Sequence, residues 1–435
     1  MPVKSHGYYK KSVMKKLHST HNLGINGNEP LMMHIDMNSS FATIEQQANP
    51  LLRGRPIAVS PYTSPGGIVI APSIEAKQHG IKLGFTNQEA KLICPDIVIL
   101  PPDPAKYRDA HIRFKRIFTS YTDKVVPKSI DEAVIDFRGS QIIKRRTMEE
   151  IALEIKQRVK EDLGCWVRVN CGIATNSFIA KLAAGFDKPD GLTVINKDNL
   201  LDVYRKIQLV DLPGINFRNE IRLNNAEIFS PLQFIDAPVD ILRHRVFQAI
   251  TGVHWYFRLR GWEVDDVVHS RKTIGHTYAL GDKTADKKKL AKLLMKLSVK
   301  LGRRMRSMEY HAGGINVSFV YTDRSHWHRS MKLHSHVYTD QDIFRNALRV
   351  MNMQPKQKRV SNLAVTVYNL EPFFPEQSSL FDGTRSDPTA TAKATDIIND
   401  RYGNFVITPA LMMNMKGIIE DRIAFGGVKD LQDLY

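Results

Sequence analysis

Two short acidic stretches, far apart in the chain, constrain it more than any other feature. One is Met32-Met33-His34-Ile35-Asp36-Met37-Asn38, and the other is Ser129-Ile130-Asp131-Glu132-Ala133-Val134-Ile135-Asp136-Phe137. Each places carboxylate inside an apolar, strand-like run. A lone carboxylate removed from water costs on the order of several kcal/mol unless it is paired or metal-bound. Three carboxylates brought together repel one another, so a fold that buries both stretches at one point calls for a cation between them. Hard oxygen donors suit Mg²⁺. Asp36, Asp131 and Glu132 therefore read as the cradle of a two-metal phosphoryl-transfer site. For either stretch alone, an ordinary strand-end aspartate is the competing reading, and the company the stretches keep decides. One geometric condition follows from sequence adjacency. Asp131 and Glu132 would face opposite ways on a regular strand, so joint binding needs a bend or a strand end there.

Charge narrows the partner. Lys and Arg number 62 against 45 Asp and Glu, a net +17, which favours a polyanion: nucleic acid first, an anionic membrane second. No apolar run approaches the ~18 residues of a membrane span. The N-terminus lacks a continuous apolar segment of the secretory type. A cytoplasmic protein without membrane contact is expected. Cys94, Cys165 and Cys171 show no paired spacing, which points to a reducing compartment and no structural zinc. The length predicts roughly two to four domains.

Along the chain, residues 1–30 read as a basic, mobile tail. Residues 31–37 form the strand that delivers Asp36, and residues 38–45 turn into a helix whose first N–H groups suit a triphosphate. Phe41 lies there, as core packing or as a ligand-facing ring. Residues 56–60 and 67–71 read as strands, 73–80 as a helix stopped by Gly80, 86–93 as a helix and 97–100 as a strand. Residues 107–121 are a predicted helix, and 125–137 carry the second acidic stretch near a hairpin. Thr147 and Glu150 form a capping box that opens a helix through Leu163, buried along Ile151, Ile155 and Val159. Residues 166–174 alternate like a half-buried strand, 176–185 are helical, and the turn at 186–191 presents Lys188. Helices alternating with strands predict a mixed α/β core.

The second half changes character. Leu212-Pro213-Gly214-Ile215 resembles the hairpin of a helix-hairpin-helix, whose N–H groups hold a DNA phosphate without reading sequence. Residues 261–270 read as a polar linker. Between Arg271 and Arg306 there are twelve Lys/Arg against Asp282 and Asp286. Leu290, Leu294, Leu297 and Leu301 line one face of a helix there, with Lys288, Lys292 and Lys296 turned away toward a DNA backbone. Strands at 271–280, 314–321 and 360–370 and a helix at 340–351 complete a β-α-β-β-α-β order. Residues 369–387 are Pro/Ser-rich and should be flexible. They hold Gln377-Ser378-Ser379-Leu380-Phe381, a polar anchor and two large apolar side chains suited to a partner's groove. The last ~45 residues show no pattern that assigns them a structure.

Taken in order, residues 31 to about 370 resemble a Y-family (translesion) DNA polymerase. The likeness rests on Asp36 in its strand, a small insertion and Ser129-Ile130-Asp131-Glu132-Ala133. It continues through Gly172-Ile173-Ala174-Thr175-Asn176, Ala180-Lys181-Leu182-Ala183, Lys188-Pro189-Asp190-Gly191 and Leu212-Pro213-Gly214-Ile215. The resemblance implies an α+β multidomain, right-hand polymerase. It would have a palm (31–47 and 101–195), small fingers (48–100), a helical thumb (196–260) and a little finger domain (271–371). It implies that Asp36, Asp131 and Glu132, with the Met37 carbonyl, hold two Mg²⁺ ions. Phe41, beside Ser40, would be a steric gate against a ribose 2′-OH, and Lys77 and Lys188 would meet the triphosphate of a dNTP. Gly214 and Ile215 would touch primer-template DNA. Gln377, Leu380 and Phe381 resemble the peptide that binds the bacterial sliding clamp. A monomer, with accessory subunits left open, is expected. The fingers motif Ser73-Ile74-Glu75-Ala76-Lys77 departs from the common Ser-Tyr-Glu-Ala-Arg. With Gly80-Ile81-Lys82-Leu83-Gly84 it looks closer to the polymerase V catalytic-subunit branch than to polymerase IV. It replaces a bidentate Arg by a point-charge Lys. The rival classes are a non-catalytic scaffold binding DNA and the clamp, and a two-metal nuclease on a palm-like core.

Overall fold

The computed structural model describes residues 23–266, 271–355, 358–373, 388–403, 405–415 and 417–419. The chain parts into two compact units between Val267 and Val268.

The first unit is built around β1 (Met32–Met37), whose Met32, Met33, Ile35 and Met37 are all buried. It leads into α1 (Ser40–Ala48). The insertion that follows holds β2 (Ile57–Val59), β3 (Ala71–Pro72), α2 (Ile74–Gln78), α3 (Asn87–Ile93) and β4 (Val98–Leu100). These strands form a small sheet in the order β3-β2-β4, with its own core of Ala58, Val69, Ala76, Ile81 and Ile97. A capping box between Thr86 and Glu89 starts α3. The strand expected at 67–71 is mostly absent. The Val69 N–H bonds to Phe85 O and the Ile70 N–H to Val59 O, so its backbone is split between two neighbours and forms no ladder until Ala71.

The chain returns through α4 (Pro104–Thr119), β5 (Val125–Pro127), β6 (Glu132–Asp136), α5 (Met148–Leu163), β7 (Val169–Ala174), α6 (Ser177–Ala183) and β8 (Leu192–Val194). The main sheet has the order β5-β6-β1-β7-β8. The predicted capping box at Thr147 and Glu150 is present, and Ile151, Ile155 and Val159 are fully buried. β7 was expected to be half-buried, but every residue of it is buried. It lies between β1 and β8, with cores on both faces of the sheet, so alternation along it does not mark a wet side.

Small helices follow: α7 (Leu200–Lys206), α8 (Phe217–Asn224), α9 (Pro231–Asp236), a π-helical turn (Ile241–Val246) and α10 (Thr251–Leu259). Residues 261–266, read as linker, are fastened instead. Gly261 O accepts from Asn26 and Thr175, Trp262 O from Asn176, and Glu263 from the Ser177 N–H. The end of the supposed tail is tied as well, since the Trp262 indole donates to Gly24 O and the Asn26 N–H to Arg260 O. Residues 1–22 and 267–270 lie outside the described residues.

The second unit runs β9 (Thr273–Thr284), α11 (Lys287–Ser307), β10 (Tyr310–Tyr321), β11 (His326–Val337), α12 (Asp340–Asn352) and β12 (Val360–Pro372). This is the predicted β-α-β-β-α-β order, in an antiparallel sheet β11-β10-β12-β9. Leu290, Leu294, Leu297 and Leu301 are buried in its core. The segment after residue 387, to which the sequence assigned no structure, contains α13 (Pro388–Tyr402). It also supplies Met412 and Met415, which pack against Met295 and Val299 of α11. That second covering corrects one expected DNA contact. Lys296 is only 4% exposed and donates to Met415 O at 2.9 Å, so it faces the C-terminal segment. Lys288 and Lys292 stay exposed. Gln377, Leu380 and Phe381 lie outside the described residues.

Candidate active site

The site begins with strand register. β1 and β6 are antiparallel, and Asp36 stands directly opposite Glu132. Cross-strand partners project to the same face. Asp131 sits just before β6, and its carbonyl accepts the Met37 N–H at 2.9 Å. The bend required by sequence adjacency is therefore a strand start. It is pinned by Ser129, which hydrogen-bonds to the Asp131 carboxylate, and by His111, whose Nδ1 lies 2.8 Å from Ile130 O.

Each of the three acids has a partner. Lys188 pairs with Asp36. Lys181 donates to both oxygens of Glu132, at 3.0 and 2.8 Å, and His34 Nε2 lies 3.3 Å from the same carboxylate. Burial pushes the Asp131 carboxyl pKa up, and the nearby charges of Asp36 and Glu132 add to that, against the Ser129 hydrogen bond. Burial also acts to raise Glu132, but hydrogen bonds from His34 and Lys181 outweigh it and hold it at about 2.

Two cavities meet here. One, of about 290 Å³, is lined by Asp36, Met37, Ser39, Ser40, Phe41, Lys77, Asp131 and Lys188, among others. It gathers the residues expected to meet a nucleotide. Phe41 is buried in its wall and stacks on Tyr107, with ring centroids 4.3 Å apart and planes at 14°. Lys77 has its ammonium pKa lowered by partial desolvation and then by Lys188, against the pull of Asp36 and Asp131. The second cavity holds Glu132, Lys181, His34 and Pro213, and Asp36 and Lys188 border it too. Glu132 also lines a wider cleft with Gly214, Arg222, Trp255 and Arg258.

The hairpin reading needs one correction. Gly214 takes φ +91°, a conformation glycine adopts at low cost. The Ile215 N–H is spent on Leu212 O at 2.9 Å and its side chain is buried, so Ile215 turns inward rather than toward a phosphate.

Sequence reasoning missed several supports. His34 and Lys181 act on Glu132 from β1 and α6. Asn38 and Asn170 hold the turn that presents Lys188. Asn38 Oδ1 accepts the Asp190 N–H at 2.9 Å, and Asn170 bonds to Phe186 O and the Gly191 N–H. The period-2 position of His34 relative to Asp36 was the one readable signal.

Residues 35–185 match the impB/mucB/samB family, and residues 271–380 match that family's C-terminal domain. DNA polymerase IV of Staphylococcus aureus (strain JH9) is 28% identical over 364 residues, spanning 81% of this chain and 99% of the relative. The protein of that name from strain Newman is 27% identical over the same spans. Among solved structures, a Y-family DNA polymerase chimera of Dbh and Dpo4 superposes with a TM-score of 0.68 at 23% identity, covering 78% of this chain and 98% of the other. The insertion ternary complex of Dbh DNA polymerase does so at 0.55 and 22%, covering 79% and 99%. The fold is thus the right-hand polymerase fold with a little finger domain, and no described helix is long and apolar enough to cross a membrane. With both family domains in order along the chain, it belongs to the impB/mucB/samB (Y-family) DNA polymerases and is a DNA-directed DNA polymerase.

Proposed function

We propose that the chain performs low-fidelity translesion synthesis, extending a primer past damaged template bases by two-metal nucleotidyl transfer. The observation that carries this reading is the position of Asp36, opposite Glu132 and on the wall of both cavities. A carboxylate on the wall of both cavities would serve as a common ligand for the metal ions. The donor set fits Mg²⁺: three carboxylates converge, and Lys188, Lys181 and His34 occupy them as cationic or hydrogen-bonding partners. Asp36, Asp131, Glu132 and the Met37 carbonyl would hold two Mg²⁺ ions. Bound there, the ions would supply the Lewis acidity that activates a primer 3′-OH and neutralises leaving pyrophosphate.

The remaining work belongs to the chain's own residues. Lys77 and Lys188 stabilise charge on the β- and γ-phosphates. Ser40, the buried Ser39 hydroxyl, which has no hydrogen-bond partner among the described residues, and the start of α1 offer further donors to those oxygens. Phe41, held flat by Tyr107, closes the wall where a 2′-OH would project. Ile74 supplies no hydroxyl where the family commonly has Tyr, so nucleotide affinity leans on the lysines. Gly214, Lys288 and Lys292 meet the DNA backbone.

In this reading residues 31–47 and 101–195 are the palm, 48–100 the fingers, 196–260 the thumb and 271–371 the little finger. Gln377, Leu380 and Phe381 dock on the sliding clamp, and the protein works as a cytoplasmic monomer. The fingers motif keeps its likeness to the polymerase V branch within this reading, although the relatives matched are named polymerase IV. Primer extension opposite undamaged and abasic templates, with each dNTP alone, tests the proposal. Extension past the abasic site is expected, together with loss of all extension in Asp131→Ala and Glu132→Ala at near-normal primer-template binding. Extension retained by either variant overturns the site assignment, and DNA breakdown without dNTPs would favour the nuclease.

A further inference from the structure

The second unit contains a cluster that polymerase chemistry does not use. His311 on β10 is the register partner of Glu371 on β12. His336 comes from β11, on the other side of β10. The donor atoms of all three lie within 4.8 Å of one another. His336 Nε2 is 3.5 Å and His311 Nε2 3.9 Å from Glu371 Oε2. The two imidazoles lie parallel, with centroids 4.2 Å apart and planes at 12°.

The strand is locally rebuilt to bring this about. Gly314 pairs with Lys332, so a regular ladder would set Ala312 opposite His334. Ala312 instead faces Val337, so β11 carries three extra residues at this point. Such irregularities re-aim side chains and recur beside functional sites. Here the excess chain swings His336 over β10. Gly313 leaves it room, because a Cβ there would stand 3.2 Å from His336 Nε2. Phe373 meets the His311 ring edge-on and stacks on Tyr338 at 4.0 Å, so an apolar wall orients one of the two imidazoles.

We propose that His311, His336 and Glu371 form a binding site for a borderline divalent transition metal, Zn²⁺ in the first instance. Two imidazoles and one carboxylate match the zinc donor set, whereas Mg²⁺ prefers all-oxygen octahedra. A tetrahedral zinc about 2.1 Å from each ligand sets them about 3.4 Å apart. The His336–Glu371 pair already has that spacing and the His311–Glu371 pair is about half an ångström longer, while the two stacked imidazoles must rotate out of their parallel arrangement to turn both lone pairs on one ion. Three protein ligands leave the fourth position to water or an outside donor. The ion would join the ends of three adjacent strands, next to the point where β12 finishes. The absence of paired cysteines does not bear on a site built from histidine and glutamate.

The test is zinc chloride titrated into the full-length protein, with Mg²⁺ in excess to occupy the carboxylate site, read by calorimetry and by the shift in Tm. Co²⁺ absorption reports imidazole ligation. One equivalent of zinc is expected to bind and to raise Tm. His336→Ala and Glu371→Gln should each weaken binding by more than the roughly 10- to 100-fold that loss of a mere outer-shell partner costs, and should abolish the Tm shift. His334→Ala, an exposed neighbour on the same strand, should bind as the wild type does. Both informative variants lie at exposed positions, so each should fold, and His311→Ala adds a third measurement. Absence of saturable zinc binding in the wild type overturns the proposal. So does unchanged binding in His336→Ala or Glu371→Gln, or an equal loss in His334→Ala.

Discussion

Lys181 donates to both carboxylate oxygens of Glu132, at 3.0 and 2.8 Å, from a helix that sequence motifs marked without giving it a role. The lysine therefore occupies a carboxylate proposed to hold metal. Its side chain is 46% exposed, so the pair is worth about 0.2–1 kcal/mol, as solvent-screened pairs are. Lys181→Ala is expected to lower the half-saturating Mg²⁺ concentration for single-nucleotide extension by roughly 1.5- to 5-fold. A higher Mg²⁺ requirement in the variant would mean that Lys181 positions Glu132 for the ion rather than competing with it.

Phe41 and Tyr107 stack at 4.3 Å, which fixes the plane of the ring in the cavity wall. Phe41→Ala should raise ribonucleotide insertion relative to deoxyribonucleotide insertion by about tenfold or more, equivalent to about 1.4 kcal/mol of sugar discrimination. The truncation also leaves a core cavity, with a stability cost of about 3–5 kcal/mol. Phe41→Leu keeps most of the apolar volume and should show a smaller gain in the same direction. Unchanged sugar selectivity in both variants would remove Phe41 from that role.

Arg306 ties α13 to the second unit. Its guanidinium is 3% exposed and reaches Asp396 at 2.6 and 2.8 Å, Asp340 at 2.7 Å and Tyr338 O at 3.1 Å. Burial acts to lower its pKa, but the two carboxylates outweigh this and raise it. Removing one partner of a buried ionic group strands the others, at a cost of about 3–5 kcal/mol. Arg306→Ala should lose stability on that scale in urea unfolding. Asp396→Asn, which leaves Asp340 in place, should lose less. Equal losses would mean that α13 contributes nothing beyond its one carboxylate.

What was legible from sequence was local. The capping box at Thr147 and the leucine row of α11 follow from spacing within one turn or one helix face, and both are present. The meeting of Asp36 with Asp131 and Glu132 was expected for a different reason, since buried acids of like charge call for a shared counter-ion, but the register that sets Asp36 opposite Glu132 was not. The misses are all tertiary. Lys296 reads as solvated until Met412 and Met415 cover a second face of α11. β7 reads as half-wet until the helices on its second face cover it. Ile215 looks available until the turn consumes its N–H. The extra residues that aim His336 belong to a pairing register, which no single strand encodes.

His111 links the site to pH. Its Nδ1 donates to Ile130 O at 2.8 Å, holding the residue just before Asp131, while Nε2 is buried without a hydrogen-bond partner among the described residues. Desolvation, and then the nearby charge of Lys115, lower its pKa, against the Ile130 hydrogen bond. The unfolded chain titrates near pKa ~6.5. The native state thus binds this proton less readily than the unfolded state does. The stability that neutral His111 contributes is fully present above pH ~6.5, and it is lost as pH falls through the lower native value. One proton sets a ceiling of about 1.4 kcal/mol per pH unit on that slope. His111→Gln can keep a donor to Ile130 O while removing the titration. Its urea midpoint should therefore fall less steeply below pH 6.5 than the wild type's, with the two converging in shape above it. Parallel pH profiles for the two proteins would show that the acid sensitivity lies in the carboxylates and not in this histidine.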